Sequence, residues 1–263
     1  MLTLDNYFSP ESDKEYLSVS QFKAFKKCEF SAYHQYVTHE YKRPVTDALL
    51  IGSYVDAYFA GTFDEWKEKH PEIYGKSNKL KSPFVNADIM IARIERDRLF
   101  MSCMTGLKQQ VLIADINGVK WKCLPDFINT EACIGYDLKT TRSFEAIWSD
   151  IHKRKVPFYE AYNYFLQLAI YQEAIEQKYE YGFVMAICAV TKEKTPDIKI
   201  IEFSDQDCTD RMYQEIESVK EYQPFILKIK AGEVDEKDLR RCEQCDHCKN
   251  TKVLESFEDA IAI

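Results

Sequence analysis

The chain has 263 residues, 46% hydrophobic and 14% aromatic, which is enough apolar material for one large domain with a full core. Lys and Arg number 35 and Asp and Glu 43, and the net charge of −8 argues against a protein that coats nucleic acid through bulk charge. We find neither an apolar run long enough to span a membrane nor a secretory signal, so we predict a cytoplasmic protein without membrane association. The chain has nine cysteines, some of them clustered. In a reducing compartment, clustered cysteines more often bind a metal than form disulfides.

Helices dominate the N-terminal part of the chain. Apolar residues at helical spacing predict helices over residues 18–38, 47–60 and 87–105. Ser18 or Ser20 can cap the first, and the second is nearly all apolar, which is typical of a buried helix. A capping-box pattern at residues 62–65 adds a short helix, and the polar stretch 76–86 predicts a loop.

From residue 110 the pattern becomes strand-like. Strands are predicted over residues 110–116, 119–124, 133–139, 181–190 and 197–203. Asn117-Gly118 between the first two is a strong hairpin signal. In the second strand Lys120 and Lys122 alternate with apolar residues, so we expect both lysines on a wet face. Ser143 is expected to cap a short helix, and long helices are predicted over residues 157–178 and 205–230.

The order of these elements predicts the fold class. Helices are followed by three strands, a helix, two strands and a helix, without an internal repeat or a low-complexity linker. We therefore predict an α/β protein in which a mixed central sheet is flanked by helices. No clear break interrupts this order, so we expect a single domain over residues 1–263.

Two acids and a lysine are the most informative feature of the chain. Asp126 follows the second hairpin strand, and Asp137 and Lys139 lie in the next predicted strand. Because neighbouring strands are about 4.8 Å apart, the two carboxylates can share a cation. With the carbonyl of Leu138 they form a suitable ligand set for Mg²⁺ or Mn²⁺. Lys139 shares a strand face with Asp137, where its ammonium can assist the attacking water or stabilise charge on a phosphate. The alternative interpretation is an ion pair on a wet strand edge.

These residues also resemble a known family. Pro125-Asp126 followed by Asp137-Leu138-Lys139 resembles the PD-(D/E)xK nuclease superfamily, and the continuation Thr140-Thr141 resembles its RecB/RecE-type branch, especially the phage exonuclease VIII-like members. The resemblance implies a restriction-endonuclease-like core and metal-dependent cleavage of DNA. It also implies a role in phage-type recombination or repair, with a single-strand annealing protein as partner.

Gln167 and Tyr171 are predicted to assist this site. They lie on one face of a helix at i and i+4, and they resemble the Gln-x-x-x-Tyr motif that faces the catalytic site and DNA in RecB-type nucleases. Gln can bond a phosphate or a metal-bound water, and Tyr can do the same or stack on a base. The alternative is a core aromatic at Tyr171 and a helix-surface residue at Gln167.

Asp56 is a further candidate metal ligand. It lies in a segment resembling the early helix of RecB-type nucleases, where a His often helps to bind metal. A carboxylate suits Mg²⁺ or Mn²⁺ at least as well as an imidazole. An acid in an apolar helix is costly unless it is paired or metal-bound, so the alternative is a bond to a lysine or to backbone.

Cys242, Cys245 and Cys248 form a C-x-x-C-x-x-C string, a spacing that lets three thiolates surround one metal centre. Cys28 is the best candidate for the fourth ligand, because its segment resembles the N-terminal cysteine segment of iron–sulfur nucleases in the RecB-type group. That resemblance implies a [4Fe–4S] cluster. The string is tighter than the usual group pattern, which leaves zinc open, with Cys28 or His247 as the fourth ligand. The alternative is three reduced thiols in an exposed tail.

The sequence thus predicts a metal-dependent deoxyribonuclease, an exonuclease that hydrolyses phosphodiester bonds of DNA. The cysteine cluster of residues 242–248 is expected to pack near the N-terminal helix. The alternative function is a non-catalytic nucleic-acid-binding or assembly module with a structural metal cluster and a degenerate acid site.

Overall fold

The structure is a computed structural model that describes residues 1–149 and 152–254. Its α-helices are α1 (Pro10–Glu15), α2 (Val19–Lys27), α3 (Glu29–Tyr36), α4 (Asp47–Ala60), α5 (Phe63–Lys69), α6 (Ser82–Glu95), α7 (Arg98–Cys103), α8 (Phe158–Ala161), α9 (Tyr164–Tyr179), α10 (Gln206–Lys230) and α11 (Asp246–Asn250). Its strands are β1 (Leu107–Lys108), β2 (Leu112–Ile116), β3 (Val119–Cys123), β4 (Phe127–Asn129), β5 (Ile134–Thr141), β6 (Ile147–Ser149), β7 (Arg154–Val156), β8 (Val184–Thr191) and β9 (Ile198–Glu202). Within the described ranges, no helix is long and apolar enough to cross a bilayer.

A five-stranded mixed sheet forms the centre, in the order β1-β4-β5-β8-β9. Strands β5 and β8 are parallel, and the other neighbours are antiparallel. Parallel strands need a crossover connection, which here contains α8 and α9. The hairpins β2-β3 and β6-β7 form two separate small sheets. This architecture confirms the predicted fold class of a mixed sheet flanked by helices.

Strand β8 separates two apolar layers. Its residues Met185, Ile187 and Ala189 belong to the layer built with α2, α9 and α10. The alternate residues Ala186 and Cys188 belong to the layer built with α4, α6 and α7. Because side chains of a strand alternate between faces, a strand covered on both sides is apolar throughout. The central strands are therefore held in place from both faces.

Several predicted boundaries are wrong. The helix predicted over residues 18–38 is two helices, because Cys28 between them has extended dihedrals (φ −159°, ψ 104°). The second part of the predicted loop 76–86 is already helical, since α6 begins at Ser82, and Asp97 caps a separate α7. Among the described residues, no helix begins at Ser143; the next elements are the paired strands β6 and β7. Strand β4 was not predicted.

Lys122 lies in a buried position rather than on a wet face. The predicted hairpin is present, with Ile116 opposite Val119, but Lys122 is only 3% exposed. Its ammonium donates to the carbonyl of Tyr7 at 2.6 Å and to Ser12 Oγ at 2.8 Å, and pairs with Asp13 at 2.6 Å. The N-terminal segment therefore covers the strand face that alternation alone assigned to solvent.

Candidate active site

The two acids of the predicted site lie side by side on neighbouring strands. Phe127 of β4 faces Tyr136 of β5, and extending this register by one residue places Asp126 opposite Asp137. The backbone N–H of Leu138 donates to Asp126 Oδ2 at 2.7 Å. The short strand β4 thus fixes the carboxylate of Asp126 against the strand that carries Asp137.

Asp137 and Lys139 form an ion pair away from bulk solvent. Asp137 Oδ2 lies 2.5 Å from Lys139 Nζ, and the Asp137 side chain is only 2% exposed. Gln167 Nε2 donates to Asp137 Oδ1 at 2.9 Å, so both carboxylate oxygens of Asp137 have a partner. The pair therefore does not lie on a wet edge. The structure brings together Asp126, Asp137, Lys139 and Gln167.

Asp56 reaches the same place from helix α4. This helix packs on β5 through Gly52, where an added Cβ would lie 3.4 Å from Thr140 Oγ1, so a small residue keeps helix and strand close. Asp56 is one turn later and shares this face. Its Oδ1 is buried and has no hydrogen-bond partner among the described residues. No ion pair with a lysine satisfies it, contrary to the alternative raised from the sequence.

The three acids perturb one another. Burial and the neighbouring Asp137 raise the pKa of Asp126 to about 7. Burial and the neighbouring Asp126 raise the pKa of Asp56. Burial alone would lower the pKa of Lys139, but attraction by Asp137 and Asp126 outweighs it and raises that pKa. Three crowded carboxylates, with the buried Oδ1 of Asp56 lacking a hydrogen-bond partner among the described residues, fit a hard divalent cation, which prefers oxygen ligands.

We expect Asp56→Asn to stabilise the metal-free protein above the ordinary pKa of an aspartate. Folding raises the pKa of Asp56, so the unfolded chain loses this proton at a lower pH than the folded protein does. The free energy of unfolding of the wild type therefore falls as the pH rises above the ordinary pKa of an aspartate, and asparagine removes this loss. Unfolding at pH 8 should show a gain of about 1 kcal/mol, and unfolding at pH 4 little gain. The shift in Tm produced by Mn²⁺ should shrink. Asp47→Asn, in the exposed first turn of α4, is the control that should show neither effect. A pH-independent loss of stability with an unchanged Mn²⁺ shift would contradict the assignment of Asp56.

An open cleft of about 800 Å³ leads to these residues. Besides Asp56 and Lys139, positively charged and aromatic side chains line it: Arg43, Arg142, Lys192, Tyr162 and Tyr164. Sequence reasoning missed this group, because its members come from separate segments. The pairing of β5 with β8 positions Lys192 at the cleft, because its backbone N–H donates to the carbonyl of Thr141 at 2.8 Å. The cleft thus combines an acidic centre with a basic, aromatic wall.

Tyr171 lies one helical turn from Gln167 but is not in this cleft. It lines a neighbouring cavity of about 210 Å³ together with Tyr7 and Lys122. Burial raises the pKa of Tyr171, so its hydroxyl is neutral at physiological pH. Its predicted contact with DNA stays a prediction.

Four cysteine thiols converge at a second site. The Sγ atoms of Cys28, Cys242, Cys245 and Cys248 all lie within 4.8 Å of one another, and Cys28 and Cys248 are 3.5 Å apart. Backbone N–H groups of Cys245 and Cys248 donate to the sulfurs three residues earlier. This donor set suits a thiophilic metal centre, and the burial of Cys28 and Cys248 excludes three thiols in an exposed tail. His247 is not part of the group; its ring stacks against Tyr41.

Arg240 ties the cysteine string to the N-terminal helices. Its guanidinium donates to the carbonyl of Lys26 at 2.7 Å and to that of Lys27 at 3.1 Å. Its carbonyl accepts from the N–H of Phe30 at 3.2 Å, and its own N–H donates to Glu29 at 3.0 Å. The two guanidinium bonds satisfy backbone carbonyls at the C-terminus of α2, which have no partner within the helix. They hold the corner between α2 and α3, where Cys28 lies, against the C-terminal segment.

The mixed sheet, with Asp126 directly before β4 and with Asp137 and Lys139 on β5, defines the PD-(D/E)xK nuclease fold. The chain belongs to the family described as "PDDEXK-like domain of unknown function (DUF3799)", whose model matches residues 18–251. A crystal structure from Eubacterium rectale, named "putative exonuclease", is similar to this chain with 34% identity and a TM-score of 0.91, covering 100% of this chain and 97% of that one. No curated protein matches the chain. The superfamily prediction is confirmed, and these findings support a nuclease.

Proposed function

We propose that this protein is a divalent-metal-dependent deoxyribonuclease that acts as an exonuclease. The observation that supports this most is the convergence of Asp56, Asp126 and Asp137 beside Lys139, with the buried Oδ1 of Asp56 left without a hydrogen-bond partner among the described residues. A non-catalytic module would gain nothing from crowding three acids together beside a cleft, because their mutual repulsion costs stability.

The residues have distinct roles in phosphodiester hydrolysis. Asp56, Asp126, Asp137 and the carbonyl of Leu138 would hold Mg²⁺ or Mn²⁺, which would polarise the phosphate and make water more acidic. Lys139, fixed by Asp137, presents its ammonium to the attacking water or to charge developing on the phosphate. Gln167 orients Asp137 through its 2.9 Å hydrogen bond. We keep Tyr171 as a DNA-positioning residue.

The proposed substrate is DNA. The basic, aromatic wall of the cleft suits a polyanion whose bases can stack. Exonuclease mode is supported by the name of the similar Eubacterium rectale protein. A role in phage-type recombination with a single-strand annealing partner rests on the resemblance of Asp137-Leu138-Lys139-Thr140-Thr141 alone.

We further propose that Cys28, Cys242, Cys245 and Cys248 bind one metal centre, either [4Fe–4S] or zinc. The 3.5 Å spacing of Cys28 and Cys248 is close to the edge of a zinc tetrahedron with Zn–S bonds of about 2.3 Å, whereas an iron–sulfur cluster would push the thiolates apart. We also propose a single domain, since the cysteine centre packs at the N-terminal helices; residues 150–151 and 255–263 of the predicted domain lie outside the described residues.

The direct test is DNA degradation by the purified protein. With Mg²⁺ or Mn²⁺ we expect linear duplex DNA to be degraded and covalently closed circular DNA to survive, and EDTA should stop the reaction. Cutting of the closed circle would contradict the exonuclease mode. Binding of linear DNA without cleavage in either metal would instead support the non-catalytic module.

A further inference from the structure

Among the described residues, two lysines beside the cleft form no ion pair: Lys192 lines the cleft, and Lys23 contacts Tyr162 and Tyr164, which line it. Lys23 of α2 donates to the carbonyl of Tyr162 at 3.0 Å, and its Nζ lies 5.4 Å from the ring centre of Tyr164. Lys192, after β8, donates to the carbonyl of Ala48 at 3.0 Å. Within residues 1–149 and 152–254, neither ammonium forms an ion pair, whereas Lys139 does. In the described part of the chain, no carboxylate oxygen therefore lies within ion-pair distance of either ammonium, and both charges remain open to a ligand.

Both charges are partly removed from water. Lys23 and Lys192 are only partly exposed. Burial, and repulsion by Lys139, lower the pKa of Lys23 to about 8. Burial lowers the pKa of Lys192 as well, and the nearby Asp56 partly restores it. A cation in such a position is costly unless an anion meets it, so these sites favour a negatively charged ligand.

The two lysines lie on elements that pack against opposite faces of the sheet. Lys23 is on α2, in the layer of α9 and α10, whereas Lys192 bonds to Ala48 of α4, which belongs to the other layer. Among the described residues, Asp56 is the charged group whose attraction acts on Lys192. The charges that act on Lys23 are instead those of Lys139, Asp137 and Glu215, and its contacts are with Tyr162 and Tyr164. A strand of nucleic acid whose reacting phosphate sits at the acids would pass both ammonium groups.

Their hydrogen-bonding capacity fits phosphate. An ammonium has three N–H donors, and in each lysine a backbone carbonyl takes one of them. Two donors remain for the non-bridging oxygens of a phosphodiester. The ring of Tyr164 lies against the Lys23 ammonium and limits its movement. This contact does not neutralise the ammonium, which can still bind an anion.

We propose that Lys23 and Lys192 bind the phosphates on the two sides of the scissile phosphate, so that the cleaved strand crosses the acid group from one lysine to the other. This inference rests on the proposed function, because it takes DNA as the substrate. It assigns a substrate-binding role to helix α2, which ends at Lys27 just before Cys28, and to the residue that follows β8.

The test is the salt dependence of DNA binding, measured without divalent metal so that the DNA stays intact. Lys23→Gln and Lys192→Gln should each reduce the slope of log K against log salt concentration by about 0.7–0.9, and the double variant by about twice as much. With metal, KM should rise several-fold while kcat changes little. Lys27→Gln and Lys194→Gln are matched controls on the same two segments, both exposed, and should keep the wild-type slope.

A second measurement avoids substitutions. DNA should protect Lys23 and Lys192 of the wild-type protein from acylation by an amine-reactive reagent, and Lys27 and Lys194 should stay reactive. Wild-type slopes in both variants, or equal protection of all four lysines, would overturn the inference. If the wild type binds DNA but never cuts it, the proposed function fails, yet the slopes and the protection pattern still decide the role of these lysines.

Discussion

Asp137→Asn should reduce the rate of DNA cleavage by at least about 10³-fold, because metal-assisted stabilisation of the reacting phosphate contributes several kcal/mol. Asp137 is the residue on which the whole site converges. It faces Asp126 across the sheet, pairs with Lys139 and accepts from Gln167. An amide of the same shape keeps the side chain in place but removes the charge that binds the cation and holds the lysine. Both losses affect the chemical step, so kcat should fall rather than KM rise.

Three measurements separate these losses. Cleavage kinetics give kcat, the Mn²⁺-induced shift in Tm reports metal binding, and unfolding of the metal-free protein reports the fold. Lys139→Ala should lose cleavage but keep the Mn²⁺ shift, because the three acids remain. Asp207→Asn, in the exposed first turn of α10, is the matched control and should behave as wild type. Cleavage by Asp137→Asn at the wild-type rate would place the activity elsewhere in the protein or in a contaminant.

Replacement of Cys248 by serine should remove the metal centre and destabilise the protein strongly. Cys248 is fully buried, and its sulfur lies 3.5 Å from that of Cys28. Structural metal centres contribute free energies on the order of 10 kcal/mol to folding, more than most domains have in reserve. We expect a metal-free, aggregation-prone protein, or one whose Tm falls by more than about 10 °C.

Metal analysis and absorption spectra of anaerobically purified protein check this result. Iron with a broad visible absorption identifies [4Fe–4S], and one equivalent of zinc in a colourless protein identifies the alternative. Cys208→Ser is the control, because Cys208 is half-buried at the start of α10 and lies outside the converging group. Wild-type protein with neither metal and full stability would contradict a metal centre here.

Turn residues and apolar periodicity predicted the elements that depend on neighbouring residues in the sequence. Asn117-Gly118 marked the hairpin correctly, and the long buried strand β8 was found from its apolar run. Strand β4 was missed because three residues are too few for a periodic signal. Lys122 was misplaced because the N-terminal segment that covers it is more than 100 residues away, and alternation says nothing about such coverage.

The site residues also divide into those that are close in sequence, which could be predicted, and those that the fold brings together from distant segments. Asp126, Asp137 and Lys139 are close in sequence, so their spacing and family resemblance were enough to bring them together. Cys28 was proposed beside a string that begins over 200 residues later only because its segment resembled a known one. Lys23 and Lys192 have no such signal, since the crossover between β5 and β8 and the packing of α2 bring them to the cleft.

The contact between Cys28 and Cys248 closes a loop of 220 residues. A metal that joins the two would cross-link the unfolded chain, and loop-closure entropy for that length corresponds to about 5 kcal/mol. The same closure sets an order in time. During synthesis Cys28 is made long before Cys242, Cys245 and Cys248. The four-cysteine centre can therefore assemble only after the strands that carry the acids have been made. After a single proteolytic cut in an exposed loop, a bound metal would still join the two fragments through Cys28 and Cys248, in addition to the packing between them.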